Sequence, residues 1–213
     1  TTVNSKVQTV AENAFAKAEN FPKSVDEIPV QGALTLLETK TGAITAMVGG
    51  REYTPMGLNR AWQSRRQPGS TAKPLVVYAP ALEKGGYFPG TVLDDMPVKY
   101  SDGANGIWAP ENYDTLTTGW RGLITMREAI KDSVNVYAVK LLDAIGVQQG
   151  WEFGKNNLGL PLQEKDKVLS LSLGTFEAST LEIASAYATF ANNGIKTEPY
   201  SVTKVVDHLG NTI

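Results

Sequence analysis

The chain has 213 residues, 42% hydrophobic and 20% charged, a composition that supports one globular domain or two small ones with a packed core and excludes a disordered or fibrous chain. Its formal charge of -2 lacks the positive field on which nucleic-acid binding relies, so the composition argues against a nucleic-acid partner. Zero Cys and one His, His208, exclude thiol catalysis, disulfides and any zinc or iron site needing two or more nitrogen or sulfur ligands.

Residues 1 to 20 place Val3, Val7, Val10, Phe15 and Ala18 at near-helical spacing, which predicts a helix with one buried face. From Gly32 the texture changes. Ala33 to Leu37 and Ile44 to Val48 are strand-length apolar runs around Glu38-Thr39-Lys40-Thr41-Gly42, and they predict a β-hairpin in a buried sheet. Arg51 to Gly69 is polar and broken by Pro55 and Pro68, a loop leading into a helix over Ser70 to Lys84 that Gly85-Gly86 stops.

Tyr87 to Gly122 has no lasting period and reads as one long ordered loop, with Asp94-Asp95 as a solvated turn inside it. Thr125-Met126-Arg127-Glu128 is a capping-box pattern opening a helical stretch to Ile145. Ser179-Thr180-Leu181-Glu182 is a second, opening a helix that ends at Asn192-Asn193-Gly194. Tyr200 to Asp207 reads as a strand, followed by a turn and the start of another strand. No run of about 18 apolar residues is present, so no membrane contact is expected of this segment. The opening Thr1-Thr2 reads as the start of an excised piece, with any anchor outside it.

Only one constellation in the chain has the chemistry of an activated nucleophile. A Ser-His-Asp triad would have to use His208, which reads as an exposed turn histidine, and no G-x-S-x-G elbow occurs. Phosphate-loop patterns are absent as well. Ser70-Thr71-Ala72-Lys73 remains, since positions i and i+3 share a helical face and let Ser Oγ and Lys Nζ meet. Pro68-Gly69 before the serine and Pro74 behind it put Ser70 at a helix start, where free N–H groups favour an oxyanion and disfavour a protonated lysine.

The bare pattern is weak, because chance supplies about 0.7 matches in this composition. A second match, Ser201-Val202-Thr203-Lys204, lies in the expected strand, where i and i+3 face opposite ways. Ser133-Val134-Asn135 strengthens the first: it is the one S-x-N of the chain and interrupts a helical stretch. A second hydroxyl there can pass a proton between Lys73 and a leaving amine, and the Asn amide can hold a substrate carbonyl and Lys73.

With these residues the chain resembles the transpeptidase domain of class A, bifunctional penicillin-binding proteins. The resemblance takes in Thr1-Thr2-Val3 with Gln8, the hairpin from Gly32 to Gly50, Arg66 to Pro74, Pro110-Glu111-Asn112-Tyr113, Ser133-Val134-Asn135 and Leu173-Gly174-Thr175. It implies an α+β fold, an antiparallel sheet flanked by helices with an adjoining helical region. Residues 1–30 would be an opening helix and linker, and 31–213 the catalytic portion. By resemblance Ser70 is the acylated nucleophile, Lys73 its general base, Ser133 and Asn135 the second motif, and Trp108 a wall of the cleft.

The implied activity is D-alanyl-D-alanine transpeptidation of peptidoglycan stem peptides at the outer face of the bacterial cytoplasmic membrane, with β-lactam antibiotics acylating Ser70 and no cofactor. A hydrolytic relative, carboxypeptidase or β-lactamase, and a non-catalytic penicillin-recognising sensor stay open as alternatives. Two departures stand out. The family's K-T-G motif follows S-x-N, whereas Lys40-Thr41-Gly42 precedes Ser70 and reads as the hairpin turn; a second polypeptide carrying K-T-G and the last strands is the expected partner. Val134 takes the position of the Asp in the β-lactamase S-D-N motif, and no deacylating Glu is evident, which implies a long-lived acyl-enzyme.

Overall fold

The computed structural model describes residues 1–84, 86–101 and 106–213, and they divide into two compact units: Thr1–Arg66 with Ala178–Ile213, and Gln67–Glu177. Gly85 and residues 102–105 of the expected long loop lie outside the described residues.

The first unit is built on the hairpin. Strands β1 (Leu34–Leu37) and β2 (Ile44–Val48) pair antiparallel, with Leu34 opposite Val48 and Leu37 opposite Ile44. Lys40, Thr41 and Gly42 form the turn, and Gly42 has φ +82°, a backbone conformation that favours glycine. Helix α1 (Ser5–Ala16) packs on β2, and the helix Thr180–Ala191 packs on β1. α1 is shorter than the expected 1 to 20: the Asn4 side chain caps its first turn, and Lys17 is already extended.

The outer edge of β2 is closed by the segment before it in sequence. Gln8 works here as a side-chain strand, its Nε2 donating to Met47 O and its Oε1 accepting from Met47 N, both at 2.9 Å. An amide that satisfies a strand's donor and acceptor together does what a neighbouring strand would do. Gln8→Ala is expected to cost about 1–3 kcal/mol, read as a lower midpoint in urea unfolding with little change in slope.

The capping box at Ser179 forms as expected. Glu182 N donates to Ser179 Oγ at 3.2 Å, Ser179 N to Glu182 Oε2 at 2.8 Å, and Arg65 pairs with the same glutamate at 2.6 Å. The expected strand over Tyr200 to Asp207 does not form. Tyr200 makes an isolated bridge to Ala43 and Val206 one to Thr212, while Asp207 accepts from Leu209 N and Asn211 N at 2.8 Å and so organises a turn. Ser201 and Lys204 are exposed and outside any strand, and His208 is exposed in the turn.

The second unit carries further helices and two more small antiparallel pairs. A 3-10 turn over Gly69–Ala72 runs into a π-helical stretch over Pro74–Tyr78 and then α2 (Ala79–Lys84), where a single α-helix was expected. Pro74 explains part of the change, since its missing N–H removes one α-type bond. Leu75, Val76 and Val77 are fully buried.

The expected loop from Tyr87 to Gly122 contains regular structure. β3 (Val92–Asp95) pairs with β6 (Gly122–Thr125), β4 (Tyr100–Ser101) pairs with β5 (Ile107–Trp108), and α3 (Thr115–Thr118) lies between β5 and β6. Local period failed to reveal these strands because each is short, and β6, the partner of β3, is distant in sequence. Asp94-Asp95 is consequently no solvated turn. It belongs to β3, where alternation leaves Asp94 half-exposed and Asp95 fully buried.

Helix α4 (Met126–Lys131) opens on the Thr125–Glu128 box, Glu128 N donating to Thr125 Oγ1 at 3.3 Å and Thr125 N to Glu128 Oε2 at 2.8 Å. It breaks before α5 (Asn135–Ile145), whose Val136, Tyr137, Val139, Leu141 and Leu142 are buried. Against them stands α6 (Val147–Glu152), at whose Gly150 a Cβ would meet Val76 O at 2.4 Å and Leu142 Cδ1 at 2.5 Å. Among the described residues no helix is long and apolar enough to cross a membrane.

Candidate active site

The S-x-x-K and S-x-N motifs meet inside the second unit. Lys73, 1% exposed, sits where the 3-10 turn passes into the π-helical stretch, and its Nζ is hydrogen-bonded three ways: to Ser133 O at 2.6 Å, to Ser133 Oγ at 3.0 Å and to Asn135 Oδ1 at 2.6 Å. Burial holds its pKa down at about 8, from an ordinary value of 10.5. None of these three partners is charged, so nothing in the first layer compensates the desolvation of a cation.

The same contacts specify how a neutral amine sits. Its two N–H groups match the two carbonyl oxygens, Ser133 O and Asn135 Oδ1, which can only accept. The third contact, to Ser133 Oγ at 3.0 Å, is to a hydroxyl that can either accept from the ammonium or donate to the neutral amine. A protonated lysine donates to all three, so the two states differ in the direction in which the Ser133–Lys73 hydrogen bond runs.

The backbone at the α4–α5 junction makes this possible. Ser133 has φ +52°, an uncommon conformation for a side-chain-bearing residue, and Val134 N donates to Ala129 O at 2.9 Å to close the turn. That turn aims the Ser133 carbonyl and hydroxyl at one nitrogen.

Ser70 lies one turn before Lys73 and is exposed. Among the described residues no hydrogen bond joins Ser70 Oγ to Lys73, whose donors are taken by Ser133 and Asn135. The serine's turn is pinned from the other side. Gly69 (φ +58°) donates its N–H to Gly174 O at 3.3 Å, and Gly174 (φ +72°) ends the 3-10 turn Leu169–Leu173. A Cβ at Gly174 would lie 2.1 Å from Gly69 O.

Trp108 stands in β5, its ring 6.0 Å from that of Tyr100. The segment following it reaches the second motif, where Glu111 O accepts from Asn135 Nδ2 at 2.9 Å and Asn112 Oδ1 accepts from Asn135 N at 2.9 Å. Asn112 and its buried partner Asp95 were not singled out by chemistry in the sequence. The signal was present one motif away: Val134 precedes a helix start yet has no side-chain acceptor to cap it, so the cap has to come from elsewhere. Among the described residues no cluster of three or more His, Cys, Asp or Glu could hold a metal ion.

The family described as "Penicillin binding protein transpeptidase domain" matches residues 32–213. Over 214 aligned residues the chain is 37% identical to penicillin-binding protein 1F of Bacillus subtilis, covering 99% of this chain and 28% of that protein. It is 40% identical to penicillin-binding protein 1A of Neisseria lactamica, covering 87% and 23%. The chain thus spans about a quarter of the length of these relatives. Among solved structures it is similar to penicillin-binding protein 1A of Haemophilus influenzae (TM-score 0.77, 33% identity, 88% of this chain and 27% of that one). It is also similar to PonA1 of Mycobacterium tuberculosis in complex with penicillin V (TM-score 0.81, 27% identity, 100% and 56%).

Proposed function

This chain belongs to the transpeptidase domain family of class A penicillin-binding proteins, and from that premise we propose that it is the acyl-transfer portion of a serine D-alanyl-D-alanine transpeptidase that cross-links peptidoglycan stem peptides. The observation that carries this reading is the buried Lys73 amine held by Ser133 and Asn135, one turn from an exposed serine.

Neutral Lys73 takes the proton of Ser70 Oγ as that oxygen bonds to the carbonyl carbon of the penultimate D-Ala. Catalytic hydrogen bonds often close only when substrate is bound, so the open Ser70–Lys73 contact fits this role. Collapse of the tetrahedral adduct breaks the C–N bond to the terminal D-Ala. The leaving nitrogen takes the Ser133 hydroxyl proton, and Ser133 is reprotonated by Lys73 along the 3.0 Å line between them. An amine of a neighbouring stem peptide then attacks the ester carbonyl: the new amide C–N bond forms as the ester C–O bond breaks, and the proton the amine loses passes through Lys73 to Ser70 Oγ, regenerating the serine.

A β-lactam enters by the same first step, its ring amide taking the place of the D-Ala–D-Ala bond. PonA1 was solved with penicillin V, and that likeness supports penicillin as a ligand here. Lys40-Thr41-Gly42 forms the β1–β2 turn, and we assign it no part in recognising the donor's carboxylate. We place the activity on the outer face of the cytoplasmic membrane, where stem peptides are exposed.

Labelling the full-length protein with penicillin and mapping the adduct tests the reading. Label on Ser70 that persists after excess penicillin is removed is expected. Label on Ser201 or no adduct overturns it, and rapid turnover of a chromogenic cephalosporin moves the protein to the hydrolytic alternative.

A further inference from the structure

The start of α5 is capped from outside the helix. The first N–H groups of a helix lack intrahelical acceptors, and Val134 offers no side-chain acceptor. Asn112, 7% exposed, supplies one, its Oδ1 accepting from Asn135 N at 2.9 Å and from Val136 N at 3.1 Å. Its orientation is fixed, because Nδ2 donates to Asp95 Oδ1 at 2.7 Å and a carboxylate only accepts. Asp95 Oδ2 in turn accepts from Arg121 N at 3.2 Å and lies 3.5 Å from the Arg121 guanidinium, which also pairs with Asp114.

Glu111 O adds a second constraint. By taking Asn135 Nδ2 at 2.9 Å it leaves Asn135 Oδ1 for Lys73. Glu111-Asn112 therefore sets both the beginning of the helix and the orientation of the amide that holds the lysine.

We propose that Asn112, oriented by the buried Asp95, is a positioning residue for acyl transfer, holding Ser133 and Asn135 in the arrangement that keeps Lys73 dry and aimed. The proposal rests on the acyl-transfer role of Ser70 and Lys73. A buried carboxylate is costly in solvation, and here its oxygens serve the Asn112 amide and Arg121. Asp95, Arg121 and Asp114 are the charged groups linked to Asn112, and the Asp94–Lys140 pair joins β3 to α5 nearby.

The test is the rate of penicillin acylation of the full-length protein from neutral to alkaline pH, for Asn112→Ala, Asn112→Asp, Asp95→Asn and the swap Asp95→Asn with Asn112→Asp. Each single substitution is expected to lower the rate about 10–100-fold. The swap restores one amide donor facing one carboxylate at unchanged total charge, so it should recover most of the loss.

Asn112→Ala changes no charge, yet the rising limb of its pH profile should move to higher pH as water reaches Lys73. A purely structural defect lowers the folded fraction and leaves that limb in place. Parent-like rates in the single variants, an unmoved limb in Asn112→Ala, or a swap that folds without regaining acylation each overturn the proposal. Where the single variants do not fold, the swap decides alone. A parent protein unlabelled at Ser70 overturns the acyl-transfer reading itself and this proposal with it, whereas a labelled parent with unaffected variants overturns this proposal only.

Discussion

Replacing Lys73 by Arg is expected to lower acylation of Ser70 about 10²–10⁴-fold, the range that general-base catalysis contributes. The guanidinium keeps the positive charge but cannot give up its proton at any working pH, so charge alone is not what the substitution removes. In the parent protein the rate should rise with pH through about 8 and level off above it, because only the neutral amine accepts a proton and burial has brought that state within reach. Lys73→Met controls for the bulk of Arg in a site with 1% exposure and should be equally inert. Near-parent acylation by either variant removes Lys73 from the role of base.

Stability carries the same signature. An unfolded lysine keeps its proton to about 10.5 while the folded one releases it near 8. Between those values the unfolded state binds more protons, so stability rises with pH across that window and is lost as pH falls back through 8. Urea unfolding of the parent, compared with Lys73→Met at matched pH, should show a gain toward alkaline pH that the variant lacks.

Gly174→Ala is expected to be the second severe change, costing about 2–4 kcal/mol. Two penalties coincide there. The new methyl would meet Gly69 O at 2.1 Å, a backbone atom that cannot rotate away, and φ +72° disfavours any side chain. Because Gly69 precedes Ser70, relief of the clash displaces the turn that carries Ser70. Penicillin acylation should therefore fall even at temperatures where the variant is fully folded by circular dichroism. Full acylation together with an unchanged melting temperature would mean the turn is freer than its contacts with Gly174 imply.

What was legible in the sequence was local. Both capping boxes and the hairpin with its Thr41-Gly42 turn depend on residues a few positions apart, where spacing carries geometric meaning, whereas the expected α-helical contact of the Ser70 side chain with Lys73 does not form. The break between α4 and α5 was legible too, from Ser133 and Asn135 as poor helix-interior residues. Features resting on distant partners were not. Asp95 reaches Asn112, and Asn112 reaches Asn135, across intervals in which no period repeats. Two adjacent aspartates read as a solvated pair until strand pairing put them on opposite faces. The tail misled for the converse reason: β-branched residues at alternating positions favour a strand only when a sheet edge receives them, and here Tyr200 alone reaches Ala43.

The left-handed backbone at Ser133 has an outcome for how this motif can change. One of the two shortest contacts to the lysine is a main-chain carbonyl, which every amino acid possesses. Ser133→Ala would delete the hydroxyl and its contact with Lys73 yet leave that carbonyl in place, so alanine scanning records only part of what the residue does. Valine or isoleucine would act differently, resisting the positive φ and swinging the carbonyl away from Nζ. Tolerance at this position is therefore governed by backbone preference as much as by hydroxyl chemistry, with Gly, Asn and Asp as the residues whose main chain would still reach the lysine.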